Sequence, residues 1–373
     1  MEVIIAGGGR QGRAAAYKLK EWGIPCRLVD PNGKRVEALK REGFDAAEGD
    51  VLSLGRGYFE GASLLISAVP ARLGEGVHRL ALRQGVDLVD ISYTEFDPFT
   101  LEERVREAGI RVIFDAGLAP GLSNLLVGEL AEGIERVERI KILVGGIPER
   151  NIPPLGYTIT WSVEDLVEEY TRPARIVRNG RLIQVEPLSG VEEVLLEGME
   201  PLEAFYTDGL RSLLRTFSHV PNMEEKTIRY PGHAEKMRFL LDLGLFSRER
   251  CVKGELRPYD VGICLLQEAL KGDGGDVVIL QVEVEGGGVR RRARIFERAE
   301  GGFTAMERTT GFTCAAFARI LLEEEVEPGL YAPEMLHRYA ERIFEMVGVE
   351  VLRGERYGCA EGHRGEKAGE EGF

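Results

Sequence analysis

Two groups of residues in this sequence could do chemistry, and they lie far apart in the chain. One centres on KTIRYPGHAEK at 226–236, where Arg229, Tyr230 and His233 surround the turn-forming pair Pro231-Gly232. Such a turn can present side chains into a cleft. An arginine suits bidentate capture of a carboxylate, and a histidine can exchange a proton near neutral pH. PLEAFYTDGLR at 201–211 adds Thr207, Asp208 and Arg211, and PLGYTITWS at 154–162 adds Tyr157 and Trp161. Each also has a plainer explanation: a capped helix start at PGHAEK, a surface ion pair for Arg229, an N-cap at Asp208, core packing for the aromatics. The other group is GGGRQG at 7–12 followed by Asp30. Gly7, Gly9 and Gly12 have the spacing that lets backbone approach a pyrophosphate, with Arg10 and Gln11 opening the helix that follows.

The elements needed to hold these residues can be read around them. EVIIA at 2–6 is a strand, the run to about residue 22 a helix, and 26–29 a second strand closed by Asp30. Strand, glycine turn, helix, strand and acid together form the dinucleotide-binding fingerprint. A carboxylate at Asp30 accepts hydrogen bonds from ribose hydroxyls and repels a 2′-phosphate, so NAD is expected over NADP; Lys34 and Arg35 lie close enough to keep NADP open. The pattern continues with strands at 44–47, 63–69, 87–91 and 111–115, separated by helices. Asp50 then borders the adenine, and Ala68, Val69 and Pro70 lie over the cofactor. Ser92 and Tyr93 follow the fifth strand towards the substrate.

GLAPG at 117–121 marks a change of domain. Beyond it the composition shifts to alternating strands, with an Asn179-Gly180 hairpin and a second hairpin around 286–288. The expected fold class is α/β: a Rossmann domain at 1–118, then an α+β substrate and dimerisation domain with a mixed or antiparallel sheet at 119–312. Helices at 313–353 could return to the first domain, and the glycine- and charge-rich 354–373 reads as a flexible tail.

Composition narrows the function. The net charge of −14 disfavours nucleic acid and anionic membranes as partners, and no apolar run has transmembrane length. Five scattered cysteines without a Cys-x-x-Cys pair read as reduced thiols of a cytoplasmic protein, and Cys359 with His363 makes no metal site.

A series of motifs in order carries a resemblance: DAGLAPG (115–121), VGGIP (144–148), YTITWS, EYTRPARIVRNG (169–180), PLEAFYTDG and KTIRYPGHAEK. The chain resembles the saccharopine dehydrogenase superfamily, in particular its branch similar to L-lysine 6-dehydrogenase. Ala119 in GLAPG is nearer that branch, whereas YTITWS is nearer the saccharopine-reductase pattern. The resemblance implies a homodimer and NAD-linked oxidation of an amino acid at the carbon bearing its amine. Arg211 or Arg229 would then anchor the substrate carboxylate, and Asp115, Glu203 or Asp208 would face its ammonium. His233, or failing it His219, would be the base. Lysine oxidation, a saccharopine-type reaction and a non-catalytic NAD-binding regulator are the three readings.

Overall fold

The computed structural model describes residues 2–357 apart from 197, 250, 252–253 and 273–274. Short runs bounded by turns, rich in Val, Ile and Leu except for the DAAE of the third, form six parallel strands: β1 (Glu2–Ala6), β2 (Cys26–Asp30), β3 (Asp45–Glu48), β4 (Ala62–Ser67), β5 (Asp87–Asp90) and β6 (Arg111–Ile113). Helices α1 (Arg10–Glu21), α2 (Gly33–Arg41), α3 (Gly74–Gln84) and α4 (Glu102–Glu107) connect them. Spatially the order is β6-β5-β4-β1-β2-β3. The chain reverses its winding beside β1, which opens a crevice at the strands' carboxyl ends. Glycine is required there: Gly7 has φ +98°, and a Cβ at Gly12 would lie 1.8 Å from the Gly7 carbonyl oxygen.

Helix α5 (Leu122–Ala131) leads into a second, mixed sheet. Its strands are β7 (Val137–Pro148), β8 (Ala174–Arg178), β9 (Arg181–Val185), β10 (Glu192–Val194), β11 (Leu202–Tyr206), β12 (Asn222–Arg229), β13 (Asp276–Gly286) and β14 (Val289–Arg298). Central β7 pairs parallel with β12 and antiparallel with β13. The Asn179-Gly180 turn joins β8 to β9, with φ values of 51° and 74° that suit a type I′ hairpin. Helices α6 (Val163–Thr171), α7 (Leu213–Thr216), α8 (His233–Asp242) and α9 (Pro258–Ala269) complete this region.

The chain then returns to the first sheet. A π-helical turn at Glu307–Phe312 and helix α10 (Thr313–Glu323) pack on α1, and α10 also covers β4 and β5. Strand β15 (Gly329–Tyr331) adds a seventh parallel strand beside β6, too short to stand out in the sequence. The helix expected over 332–347 is a 3₁₀ segment, Pro333–Tyr339, followed by α11 (Ala340–Val347). Leu336, at φ −104° and ψ 16°, breaks the regular helix. The expected tail is also corrected: β16 (Val351–Tyr357) pairs antiparallel with β14, so 354–357 belong to the sheet. Cys359, His363 and the rest of 358–373 lie outside the described residues. Among the described residues no helix is long and apolar enough to cross a membrane.

Candidate functional site

The crevice deepens into a cavity of about 560 Å³ between the two sheets. Its first wall is local sequence. Gly7, Gly9, Arg10, Gln11, Asp30, Asp50, Ala68, Val69 and Pro70 all line it, while Gly12 lies beneath Gly7. Asp30 ends β2 buried, its Oδ2 accepting from the Gly8 N–H (2.8 Å) and its Oδ1 from the Asn32 N–H (2.8 Å). Arg35 donates to the same Oδ2 at 2.9 Å and lines the cavity. Both amide heteroatoms of Gln11 are buried without a hydrogen-bond partner among the described residues. A buried amide is ordinarily satisfied, so orphan atoms on the glycine-rich wall fit a polar ligand resting there. A dinucleotide with its pyrophosphate over Gly7–Gln11 and its ribose near Asp30 suits these residues.

The opposite wall is assembled from distant segments. Ser162 caps α6 by accepting from the Asp165 N–H, and helical spacing puts Ser162, Asp165 and Glu169 on the cavity side. From β12, period-two alternation sends Glu225, Thr227 and Arg229 to that side. Arg229 is buried; its Nε donates to the Tyr170 hydroxyl (3.0 Å) and its Nη1 to the Ile228 carbonyl (2.9 Å). Its Nη2 lies 3.7 Å from Glu169, and the guanidinium sits 4.7 Å from the Tyr157 ring centroid. Trp161 donates its indole N–H to the Tyr157 hydroxyl at 2.9 Å. Burial raises the carboxyls of Asp165 and Glu169, the latter against the pull of Arg229, and pushes Glu225 up to about 8.

Of the residues singled out in the second region, Tyr157, Trp161, Thr207 and Arg229 line the cavity, as do Ser92 and Tyr93 from the first. The Ser92 hydroxyl is held by Asp90, which also meets His78. Other expected roles need correction because the side chains are engaged elsewhere. Arg211 is no free carboxylate anchor: Nε and Nη2 grip Asp115 at 3.1 and 3.0 Å, and Nη1 donates to the Thr94 carbonyl. That ion pair is buried, and Asp115 (φ 55°) and Arg211 (φ 49°) are both left-handed non-glycine residues. Strain at both ends marks the pair as a held clamp between the two regions.

Asp208 meets Arg175 through two side-chain hydrogen bonds and caps no helix. Glu203 caps α8 by accepting from the Gly232 and Ala234 N–H groups, both at 2.8 Å. Asp115, Glu203 and Asp208, expected to face an ammonium, are thus paired elsewhere and do not line the cavity. His233 is buried behind the wall, between the Leu155 carbonyl (2.8 Å) and the Tyr170 hydroxyl (3.0 Å). Burial, helped by Arg229, lowers its imidazole to about 3. Its ring meets the Tyr170 hydroxyl and does not line the cavity, so the expected base lies behind the wall. His219 is exposed and stacks on Phe217 at 5.9 Å, away from the cavity.

Asp165, Glu169 and Glu225 are the acids of this wall that do reach the cavity, and none of them stood out in the sequence. Glu169 lies inside EYTRPARIVRNG. Glu225 shares one face of β12 with Met223, Thr227 and Arg229, a parity that was legible had the strand been started at Asn222 rather than read as a turn-centred motif.

Comparison with known proteins agrees with this geometry. A TrkA-N domain model matches residues 3–55. The mitochondrial alpha-aminoadipic semialdehyde synthase of Mus musculus is 28% identical over 206 residues, 51% of this chain and 22% of that protein. The NADP(+), L-glutamate-forming saccharopine dehydrogenase of Saccharomyces cerevisiae is 27% identical over 195 residues, 49% of this chain and 44% of that protein. The match thus spans less than half the length of either curated relative. Among solved structures, apo L-Glu-forming saccharopine dehydrogenase from Saccharomyces cerevisiae superposes with a TM-score of 0.76 at 18% identity, covering 95% of this chain and 99% of that one. Homospermidine synthase from Legionella pneumophila, in complex with NAD, gives a TM-score of 0.68 at 15% identity, covering 99% and 94%. These two show the same fold. A model of the saccharopine dehydrogenase C-terminal domain matches residues 117–351, more than half of the chain, and the protein therefore belongs to the saccharopine dehydrogenase family.

Proposed function

We propose that this protein is an NAD-dependent dehydrogenase that oxidises the carbon–nitrogen bond of an amino acid, with lysine as the first substrate. The reaction gives the ε-semialdehyde and ammonia. The observation that carries this reading is the charge pattern of the wall opposite the glycine-rich turn, where Asp165, Glu169 and Glu225 accompany one buried arginine, Arg229. That balance suits a substrate with one carboxylate and a cationic amine. Arg229 holds the carboxylate, the acidic side chains face the ammonium, and Tyr93, Tyr157 and Trp161 narrow the cavity and keep water from the reacting carbon. A nicotinamide dinucleotide on the first wall supplies the hydride acceptor.

A saccharopine-type reaction is the second reading. The named relatives favour it, but such a substrate brings further carboxylates and needs further cations. Exposed Arg72, which also lines the cavity, is the available candidate. NADH formation with lysine alone, against NADH consumption with the semialdehyde plus glutamate, separates the two. Tight NAD binding without turnover of any amine would instead mark a regulatory protein. Comparing lysine with the diamine lacking its α-carboxylate tests Arg229: discrimination should collapse in Arg229→Met. The reading includes a homodimer, supported by exposed Leu182, Val191 and Leu195 on and beside β9 and β10 and testable by sedimentation.

A further inference from the structure

Glu169 and Glu225 are joined by two hydroxyls. Thr227 Oγ1 lies 2.7 Å from Glu169 Oε1 and 2.8 Å from Thr207 Oγ1, and Thr207 Oγ1 lies 2.7 Å from Glu225 Oε2. Three contacts of hydrogen-bond length thus link four oxygens in a line. A hydroxyl owns one proton and an ionised carboxylate none. Two threonine protons cannot fill three contacts. A contact left without a proton would press lone pairs together in a buried site, which costs free energy. One of the two carboxyls must therefore carry the third proton.

We propose that Glu225 and Glu169 share a single proton through Thr207 and Thr227, and that this line is the proton relay of amine oxidation. The inference rests on the dehydrogenase reading above. With the proton on Glu225, each group donates to the next: Glu225 to Thr207, Thr207 to Thr227, Thr227 to Glu169. A shift of one proton across each contact breaks three O–H bonds and forms three. It leaves both threonines neutral, the proton on Glu169 and the charge on Glu225. Oxidation of a primary ammonium to its iminium sends two electrons and one proton away as hydride and releases one further proton, which the ionised carboxylate accepts and passes to solvent. In the hydrolysis that follows, a proton of the attacking water enters at the ionised carboxylate while the protonated one gives its proton to the nitrogen. The C–N bond then breaks with its electron pair on nitrogen, and the carbinol's remaining O–H proton leaves with it as ammonium while the C=O bond forms. A shift along the line then restores the starting state.

The surroundings bias the shared proton towards Glu225. Arg229 of β12 stands beside Glu169 and favours its charge. Glu225 is buried with no cation paired to it among the described residues, and the charges of Glu169 on α6 and of Asp208 after β11 raise it further. Asp208 is itself neutralised by Arg175 of β8, and the Tyr93 and Arg211 side chains lie beyond it. The phenols of Tyr157 and Tyr170 flank Arg229, with neutral His233 behind. Gly209 lets backbone reach the line: its N–H donates to Glu225 Oε2 at 3.1 Å, and a Cβ there would lie 2.4 Å from the Glu225 carboxyl carbon.

Infrared spectroscopy of the whole protein without ligands tests proton sharing apart from activity. A protonated-carboxyl band at pH 7 should fade as pH rises past about 8 and be absent in Glu225→Gln, whose amide fills the same contact without a carboxyl proton. Thr207→Val should lower turnover by about 10²–10⁴, the range of general acid–base catalysis, and change the pH profile, and Thr207→Ser should restore both. A missing band at pH 7, or wild-type turnover and pH profile in Thr207→Val, overturns the relay. If the band behaves as described but no amine is oxidised, the proton sharing stands and the dehydrogenase reading falls.

Discussion

The two walls of the cavity are built on opposite principles. The glycine-rich wall is backbone, glycine and strand ends, and the Asp30 carboxylate on it is satisfied by two backbone N–H groups and Arg35. The opposite wall is buried charge. Its two glutamates depend on partners from other elements: Glu169 on Thr227 and Arg229, Glu225 on Thr207 and Gly209. A backbone site tolerates side-chain change and fails when a Cβ intrudes. A charge-built site fails when one partner is removed, because the other is left buried and unpaired.

That contrast can be broken at several points, from the largest effect to the smallest. Arg211→Ala leaves Asp115 buried without its cation and should cost about 3–5 kcal/mol in urea unfolding, whereas trimming the exposed Arg10 side chain on the glycine-rich wall should cost almost nothing. Glu225→Gln should change how stability depends on pH. Burial pushes the folded carboxyl up to about 8 from an ordinary value of 4.5, so between those values the native state holds the extra proton. Wild-type stability should therefore gain from this group at low pH and lose that gain as pH rises from 4.5 to 8. Thermal unfolding across that range should show the fall in the wild type and its absence in the variant.

Gly7→Ala should weaken dinucleotide binding by about 10- to 100-fold, from roughly 1–3 kcal/mol of strain, since its Cβ would lie 2.3 Å from the Ala68 carbonyl oxygen. Calorimetry with NAD measures this, and the second sheet should keep its fold. Arg35→Ala should leave NAD affinity within about threefold and weaken NADP by about tenfold, the loss of one charge-assisted contact to the 2′-phosphate. Equal losses for both cofactors would place Arg35 in support of Asp30 rather than beside a phosphate.

The same contrast explains what the sequence could tell. Fingerprint glycines, Asp30, the Asn179-Gly180 turn and the alternating strands are local patterns, and the fold follows from them. The opposite wall was only half legible. Arg229, Tyr157, Trp161 and Thr207 could be picked by type, but which charges stay free depends on long-range pairing. Asp115 is engaged by Arg211, 96 residues away, and Thr227 meets Glu169 across 58. No periodicity reports such partners. Histidine drew attention for its ordinary pKa, yet burial lowers His233 to about 3 and pushes an unremarked glutamate, Glu225, up to about 8. Strand β15 was hidden for a different reason, because three residues carry no period.

The most direct test of the amine-dehydrogenase reading is initial-rate NADH formation by the purified protein with NAD and lysine as the only amine. Steady NADH release with equimolar ammonia, strongly reduced in Arg229→Met, is the expected result. No NADH from lysine, together with NADH consumption when the semialdehyde and glutamate are supplied, would contradict it and make the saccharopine-type reaction the protein's own.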